Sequence, residues 1–330
     1  MDNVLLNIIH VFFRYVAWLA PLSISLVHAQ TWPAQPVRVI VPFAAGGSAD
    51  IAGRLVSEEL SRQLGHRFVV ENRTGAGAVI GTEAAARAPK DGYTVLFTTI
   101  AHAQTRALYS KLPFDPINDF VPVALPGLVP HILVVNRDLP VKDTRELIAL
   151  LKSNPGKYNY GSAGNASGVH FASELFLSMA GGLQVQHVPY RGSAPALLDL
   201  MNGSVAMMVD IAVSALPMIR DGRVRGLAIS TKKRSSLAPE LPTIDESGLP
   251  GFEVYGWYMV FLPTGAPDHI VRRLNSAINK SLLVPTVAER FRAMTVETVP
   301  DSTPESTGAF LRQEVARWTD VAQRVGIKPN

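Results

Sequence analysis

Short apolar runs alternate with stretches of helical period along most of the chain, the pattern of an α/β architecture. Val37-Arg38-Val39-Ile40-Val41 predicts a strand ending at Pro42. After a run of small residues, Ile51, Leu55, Leu60 and Leu64 recur as one face of a helix that Gly65 stops. Strands follow at residues 68–70 and 93–97, then an extended segment over 120–135 interrupted by Pro122, Pro126 and Pro130. A second cycle predicts helices at 144–152, 167–179 and 195–201, with strands at 158–160, 184–188, 205–209 and 224–229. Another extended run, 252–262, brings the chain back before helices at 270–283 and 304–325. Ser302-Thr303-Pro304-Glu305 starts the last helix with a capping box and a proline in the first turn.

Two extended crossings around a central α/β block predict that the chain leaves one lobe, builds a second and returns. At 330 residues the chain exceeds the usual size of one domain, which agrees with two lobes. The expected division is a first lobe of residues 30–128 and 257–330 and a second of 129–256. Two strands form the hinge and a ligand lies in the cleft.

Residues 4–27 are almost uninterruptedly apolar or small, and Val27-His28-Ala29 sets small side chains at the positions a signal peptidase reads. Residues 1–29 are therefore expected to be a signal peptide cleaved near Ala29, which exports the protein to the periplasm. An uncleaved anchor is the alternative, since the stretch is long enough to span a bilayer. With no cysteine there is no lipidation site, disulfide or thiolate chemistry. The formal net charge of +4 is scattered. Its densest run, Lys232-Lys233-Arg234, lacks interleaved aromatics, which argues against a nucleic-acid partner and leaves a mild bias toward anions. A monomer is the simplest expectation.

The most informative chemistry is a pair of similar loops. One strand runs into Phe43-Ala44-Ala45-Gly46-Gly47-Ser48 and a helix; another runs into Ser162-Ala163-Gly164-Asn165-Ala166-Ser167 and a helix. Small residues admit a ligand close to the backbone, and each helix start offers unpaired N–H donors and a partial positive charge. Two such sites can grip a carboxylate from both ends, although each loop read alone is also an ordinary strand-to-helix turn. Gly75-Ala76-Gly77 through Gly81 imitates a dinucleotide fingerprint, but it follows the second strand, and no ribose-binding acid ends the next one. No cofactor is expected. No serine sits in a nucleophile elbow and no histidines have metal-ligand spacing, so no catalytic residue or metal site is assigned. An exported hydrolase acting on a small carboxylated substrate is the alternative function. His170 falls in the first turn after the second loop, facing the cleft or packing as a capping residue. Asp210 ends a strand, lining the cleft or capping the next helix, and Arg191 either pairs with a ligand carboxylate or points to solvent.

Several ordered motifs then accumulate: Pro42-Phe43 with Gly46-Gly47 and Asp50; Glu71-Asn72-Arg73 with Gly75-Ala76-Gly77; Asp91-Gly92-Tyr93-Thr94. They continue with Tyr160-Gly161-Ser162, Gly164 and His170; Val188-Pro189-Tyr190-Arg191-Gly192; Leu241-Pro242-Thr243 with Glu246 and Gly248; and Trp257. In these the chain resembles, from about Trp32 to Lys328, the substrate-binding proteins of tripartite tricarboxylate transporters, the Bug receptors. The resemblance implies a two-lobed, type II periplasmic-binding-protein (Venus flytrap) fold and a small carboxylate held largely by backbone groups and bridging waters. It also implies membrane transporter subunits as partners. The candidate ligand contacts are Phe43, Ala45, Gly46, Gly47, Ser48 and Asp50 in the first loop and Ser162, Gly164, Asn165 and Ser167 in the second. Thr98, His170, Arg191 and Asp210 complete the set. Ala166 stands where the family usually has glycine, a difference that bears on ligand size or orientation.

Overall fold

A computed structural model describes residues 32–165, 167–324, 326, 327 and 329. The proposed signal segment, residues 1–29, and Ala166 lie outside the described residues. In chain order the elements are β1 (Val37–Val41), α1 (Ser48–Leu64), β2 (Phe68–Asn72), a 3-10 turn at Ala76–Ala78, α2 (Val79–Ala86), β3 (Thr94–Thr99) and α3 (Ala101–Leu108). Then come β4 (Phe120–Asn136), α4 (Thr144–Ser153), β5 (Asn159–Ser162), α5 (Gly168–Met179), β6 (Gln186–Pro189) and α6 (Ser193–Met201). β7 (Met207–Ile211), α7 (Ala212–Arg220), β8 (Val224–Ile229), β9 (Tyr255–Pro263), α8 (Asp268–Leu282), α9 (Pro285–Ala293), β10 (Glu297–Thr298) and α10 (Pro304–Arg324) complete the chain.

The strands form one mixed ten-stranded sheet in the order β2-β1-β3-β9-β4-β7-β5-β6, with β8 and β10 also pairing on β4. β4 organises it. Up to Pro130 it runs antiparallel to β9; from His131 onward it pairs with β7 and β8. Three prolines fall in this strand: Pro122 is paired with Phe261 beside a register shift, and Pro130 is the last residue paired with β9. The register shifts on either side of Ala124, which leaves Pro126 in a bulge where no donor is required. The parallel strands β1 and β3 are apolar and largely buried, as expected for strands covered on both faces.

α1 ends where expected, with Gly65 at φ +74 donating to the Ser61 carbonyl. Its buried stripe differs from the expected one, since Ile51 is 48% exposed. Leu55 and Leu60 are buried as expected, while Ala52, Gly53 and Val56 turn inward beside them. A methyl on Gly53 would lie 3.2 Å from Val41, so the helix approaches β1 through its smallest residues and Ile51 is rotated outward. The capping box of α10 also shifts. Thr303 Oγ1 accepts from Ser306 N–H while Ser306 Oγ accepts from Thr303 N–H, so the third residue after the cap closes the box, not Glu305. Ser302 turns inward and accepts from Leu125 N–H.

α3 and α9 have no counterpart in the sequence-based expectations. In α3 the inward positions mix His102, Gln104 and Thr105 with the small Ala103 and Ala107, which hides the apolar period. His102 is wholly buried, stacked on Phe261 at 4.7 Å, with Nε2 2.8 Å from the Pro116 carbonyl. α10 packs against α3, β4 and α5. Its buried Glu314 accepts from the indole N–H of both Trp257 and Trp318, at 3.0 and 2.9 Å, tying the return strand β9 to the last helix. Residues 35–330 form one compact unit, and no described helix is long and apolar enough to cross a membrane.

Candidate ligand-binding site

β1 stops at Val41 and α1 begins at Ser48, so the intervening turn lies at the end of a parallel strand. Gly46 has φ +80, a conformation that favours glycine, and its N–H donates to Asp50 Oδ2 at 2.8 Å. Asp50 is buried and also accepts from Arg54 Nε and Asn72 Nδ2, both at 2.9 Å. Asn72 Nδ2 in addition donates to the Phe43 carbonyl. Burial pushes the Asp50 carboxyl up, but Arg54, the Gly46 N–H and Asn72 together hold it below its ordinary value. The acid is thus bound to the loop it follows. No side chain caps α1, whose N-cap is Gly47, so its first-turn donors face solvent or a ligand. Ala45, Gly46, Gly47 and Ser48 are exposed and Phe43 half-buried. Ser48 is hydrogen-bonded to Tyr258 of β9.

The second loop joins β5 to α5. Gly164, at φ +127, again supplies a backbone conformation that favours glycine. Ser162 is wholly buried; its Oγ lies 2.6 Å from His187 Nε2 and accepts from the Gly164 N–H at 3.2 Å. His187 stacks on both Tyr160 and His170, with centroids at 4.9 and 4.0 Å. The Tyr160 hydroxyl donates to Glu174. Burial, and then the neighbouring His187, lowers His170 to about 4. Its 3.9 Å approach to Glu174 is therefore a contact of a neutral imidazole rather than an ion pair at neutral pH. A serine beside a histidine invites comparison with a nucleophile and its base, but this hydroxyl has no exposed surface and is engaged by its own loop. Ser167 caps α5 by accepting from the His170 N–H at 3.2 Å, and Asn165 is the exposed residue of the turn.

Asp210 is wholly buried, with one oxygen accepting from Ser193 Oγ at 2.5 Å and the other from Ser214 Oγ at 2.6 Å. It holds the starts of α6 and α7 together; the N-cap of α7 is Ile211. Arg191 is exposed and has no ion-pair partner among the described residues. Thr98 pairs with Met259 and Thr99 with Tyr258. Phe97 stacks on Tyr258 at 5.6 Å, and strand alternation therefore gives Phe97, Thr99 and Tyr258 one face and the buried Thr98 the other.

That shared face continues into β4. Gly256 pairs with Val129, and a methyl on Gly256 would lie 3.3 Å from Val129 Cβ and 3.9 Å from His131 Cε1. A methyl on Gly168, the first residue of α5, would lie 4.0 Å from His131 Nε2. A continuous floor of Tyr258, Gly256, Val129 and His131 thus runs from Ser48 of the first loop to the start of α5. Sequence reasoning passed over His131, which sits in an apolar strand run with no motif around it. Among the described residues no group of three or more His, Asp or Glu side chains is placed to hold a metal ion.

Residues 52–327 match the family described as the tripartite tricarboxylate transporter family receptor. The chain belongs to this family. As a receptor of this family it is a binding protein rather than an enzyme, and its α/β fold is that of its structural relatives. It is similar to the protein BugT of Bordetella pertussis, 37% identical over 326 residues, 98% of either chain. Among solved structures it resembles Rpa4515 of R. palustris with adipate at TM-score 0.74 and 35% identity, covering 91% of this chain and all of that one. It also resembles MatC of Rhodopseudomonas palustris with bound malate at TM-score 0.71 and 33% identity, covering 88% of this chain and all of that one.

Proposed function

We propose that the chain is a periplasmic receptor that closes two lobes around a small carboxylate and delivers it to the membrane subunits of a tripartite transporter. The observation that carries this reading is the common floor of β9 and β4 with a helix-start loop at each end. The uncapped start of α1 and the start of α5 offer backbone donors at the positive ends of two helices. Charged side chains are few at these loops, and the one acid there, Asp50, is already neutralised by its partners. Anion binding by backbone donors and bridging waters fits that arrangement. The adipate and malate bound to two relatives support a dicarboxylate.

In this reading the lobes are residues 30–128 with 257–330, and 129–256. β4 and β9 are the hinge, supported by the change of partner within β4 between Pro130 and His131. The ligand contacts are Phe43, Ala45, Gly46, Gly47, Ser48, Ser167 and Asn165, with Arg191 at the rim. Asp50, Ser162, Gly164, His170 and Asp210 shape the loops and helix starts. Residues 1–29 act as a cleaved leader, supported by the Val27-His28-Ala29 junction.

Thermal melting with acetate, malate, adipate, citrate and neutral sugars tests the reading. A ligand at about 100 times its Kd adds about 2.7 kcal/mol to the folded state, which raises Tm by several degrees. One of the acids should produce this shift; stabilisation by sugars alone would overturn the carboxylate. Mass spectrometry of solute released from the exported protein names the ligand, and N-terminal sequencing of the same sample should begin at Gln30.

A further inference from the structure

His131 lies at the point where β4 changes partners, on the floor that joins the two loops. It is 1% exposed, and neither ring nitrogen completes a hydrogen bond. Leaving a buried polar group without a partner costs about 1–3 kcal/mol. A leucine would fill an apolar strand position without that cost. The ring stands close to two glycines, Gly168 of α5 and Gly256 of β9, where no side chain fills the space beside it. Nε2 is the atom nearest Gly168, which places it beside the first turn of a twelve-residue helix whose opening N–H groups attract anions. Burial lowers the imidazole to about 4, against an opposing effect of the Val129 carbonyl, so the ring is neutral at physiological pH. A neutral imidazole offers one N–H donor and one acceptor nitrogen. The Val129 carbonyl can engage at most one of the two.

We infer that His131 is a specificity-determining residue of the receptor, donating from its ring to a ligand carboxylate seated at the start of α5. The inference rests on the carboxylate reading above and adds to it the side chain that a site of backbone amides otherwise lacks. A ring donor on a rigid strand fixes the orientation of one ligand oxygen. Backbone donors in the exposed first loop, held by one carboxylate, set no comparable direction. His131 therefore selects among acids of different length and hydroxylation.

The test compares wild type, His131→Leu and His131→Gln by calorimetric titration with acetate, malate, adipate and citrate, alongside unliganded melting. His131→Leu should melt at or above the wild-type temperature, since it removes an unsatisfied buried group, yet bind the preferred acid at least tenfold more weakly. His131→Gln, which keeps an N–H donor, should recover part of that loss and change the order of preference among the four acids. A merely structural histidine predicts the reverse: a lower melting temperature for the leucine variant and unchanged affinity in whatever remains folded. Wild-type affinity in both variants overturns the inference. If wild type binds none of the four acids, the carboxylate reading fails and the role of His131 falls with it; if wild type binds and the variants match it, only His131 falls.

Discussion

The two loops follow one plan, a strand end, a glycine at positive φ and a helix start, yet they are held by different chemistry. In the first, a charged acid does the holding: Asp50 accepts from the Gly46 backbone, Asn72 and Arg54, and the helix start above it has no side-chain cap. In the second, neutral groups do so. Ser162 bridges Gly164 and His187, His187 lies in a stack with Tyr160 and His170, and Ser167 caps the helix itself. The first loop is exposed and presents open donors; the second is half-buried and has already filled one of its own. One fold device is thus tuned into a presenting side and a braced side, and the two should respond differently to charge and pH.

Acid should separate them most strongly. His170 titrates near 4 in the folded chain against 6.5 when unfolded, and His102 and His131 behave alike because burial disfavours their charged forms. Through these histidines the unfolded chain binds more protons between pH 6.5 and about 4, a contribution that is complete above that window and lost as pH drops through it. Glu174, Asp210 and Glu314, raised by burial, oppose it. The expected slope is about 1.4 kcal/mol per pH unit for each proton taken up. Asp50 is held below its ordinary 3.8, so its contribution persists through this window and is lost only in stronger acid. Urea titrations across the range read the global slope. Hydrogen exchange should show the second loop loosening before the first, and simultaneous loosening would break the comparison.

Asp50→Ala comes next. It removes the shared acceptor of the Gly46 N–H, Asn72 and the half-exposed Arg54, and should cost about 2 kcal/mol in urea unfolding, with weaker ligand binding besides. Ser162→Ala should cost about 2 kcal/mol, since it leaves the Gly164 N–H and the His187 ring nitrogen without their shared partner. It should also raise exchange in the second loop alone. Ser167→Ala removes a helix cap for about 1 kcal/mol. The same substitution opens a donor at the start of α5, so affinity should fall less than stability; an equal fall would mean that the hydroxyl itself touches the ligand.

Much of the architecture was legible because its periods are strong: β8 spans the expected residues, and β1, α1 and α5 begin or end on their expected signals. α3 was not legible, since its inward face mixes Ala103 and Ala107 with the polar His102, Gln104 and Thr105, and His102 finds its partner only in the Pro116 carbonyl. Among candidate site residues, glycine spacing at Gly46 and Gly164 pointed to both loops because those backbone conformations favour glycine. The part played by Asp50 could be read only in part, because Asn72 meets it only after β1 and β2 pair. Thr98 and Thr99 illustrate the limit most sharply. In a strand, adjacent residues face opposite sides, and pairing with β9 puts Thr99, not Thr98, on the face of Tyr258.

The sequence by itself determined the α/β class, the two strand-to-helix loops and the family motifs. Each is encoded locally, by hydrophobic period, by glycine where φ must be positive and by residue order. Tertiary structure alone decided which groups brace those loops, which face of β3 turns to Tyr258, and that a histidine from an unremarkable strand stands beside the start of α5. Those outcomes depend on strand register and on contacts between residues more than thirty positions apart, as between His131 and Gly168. No local pattern encodes such distances.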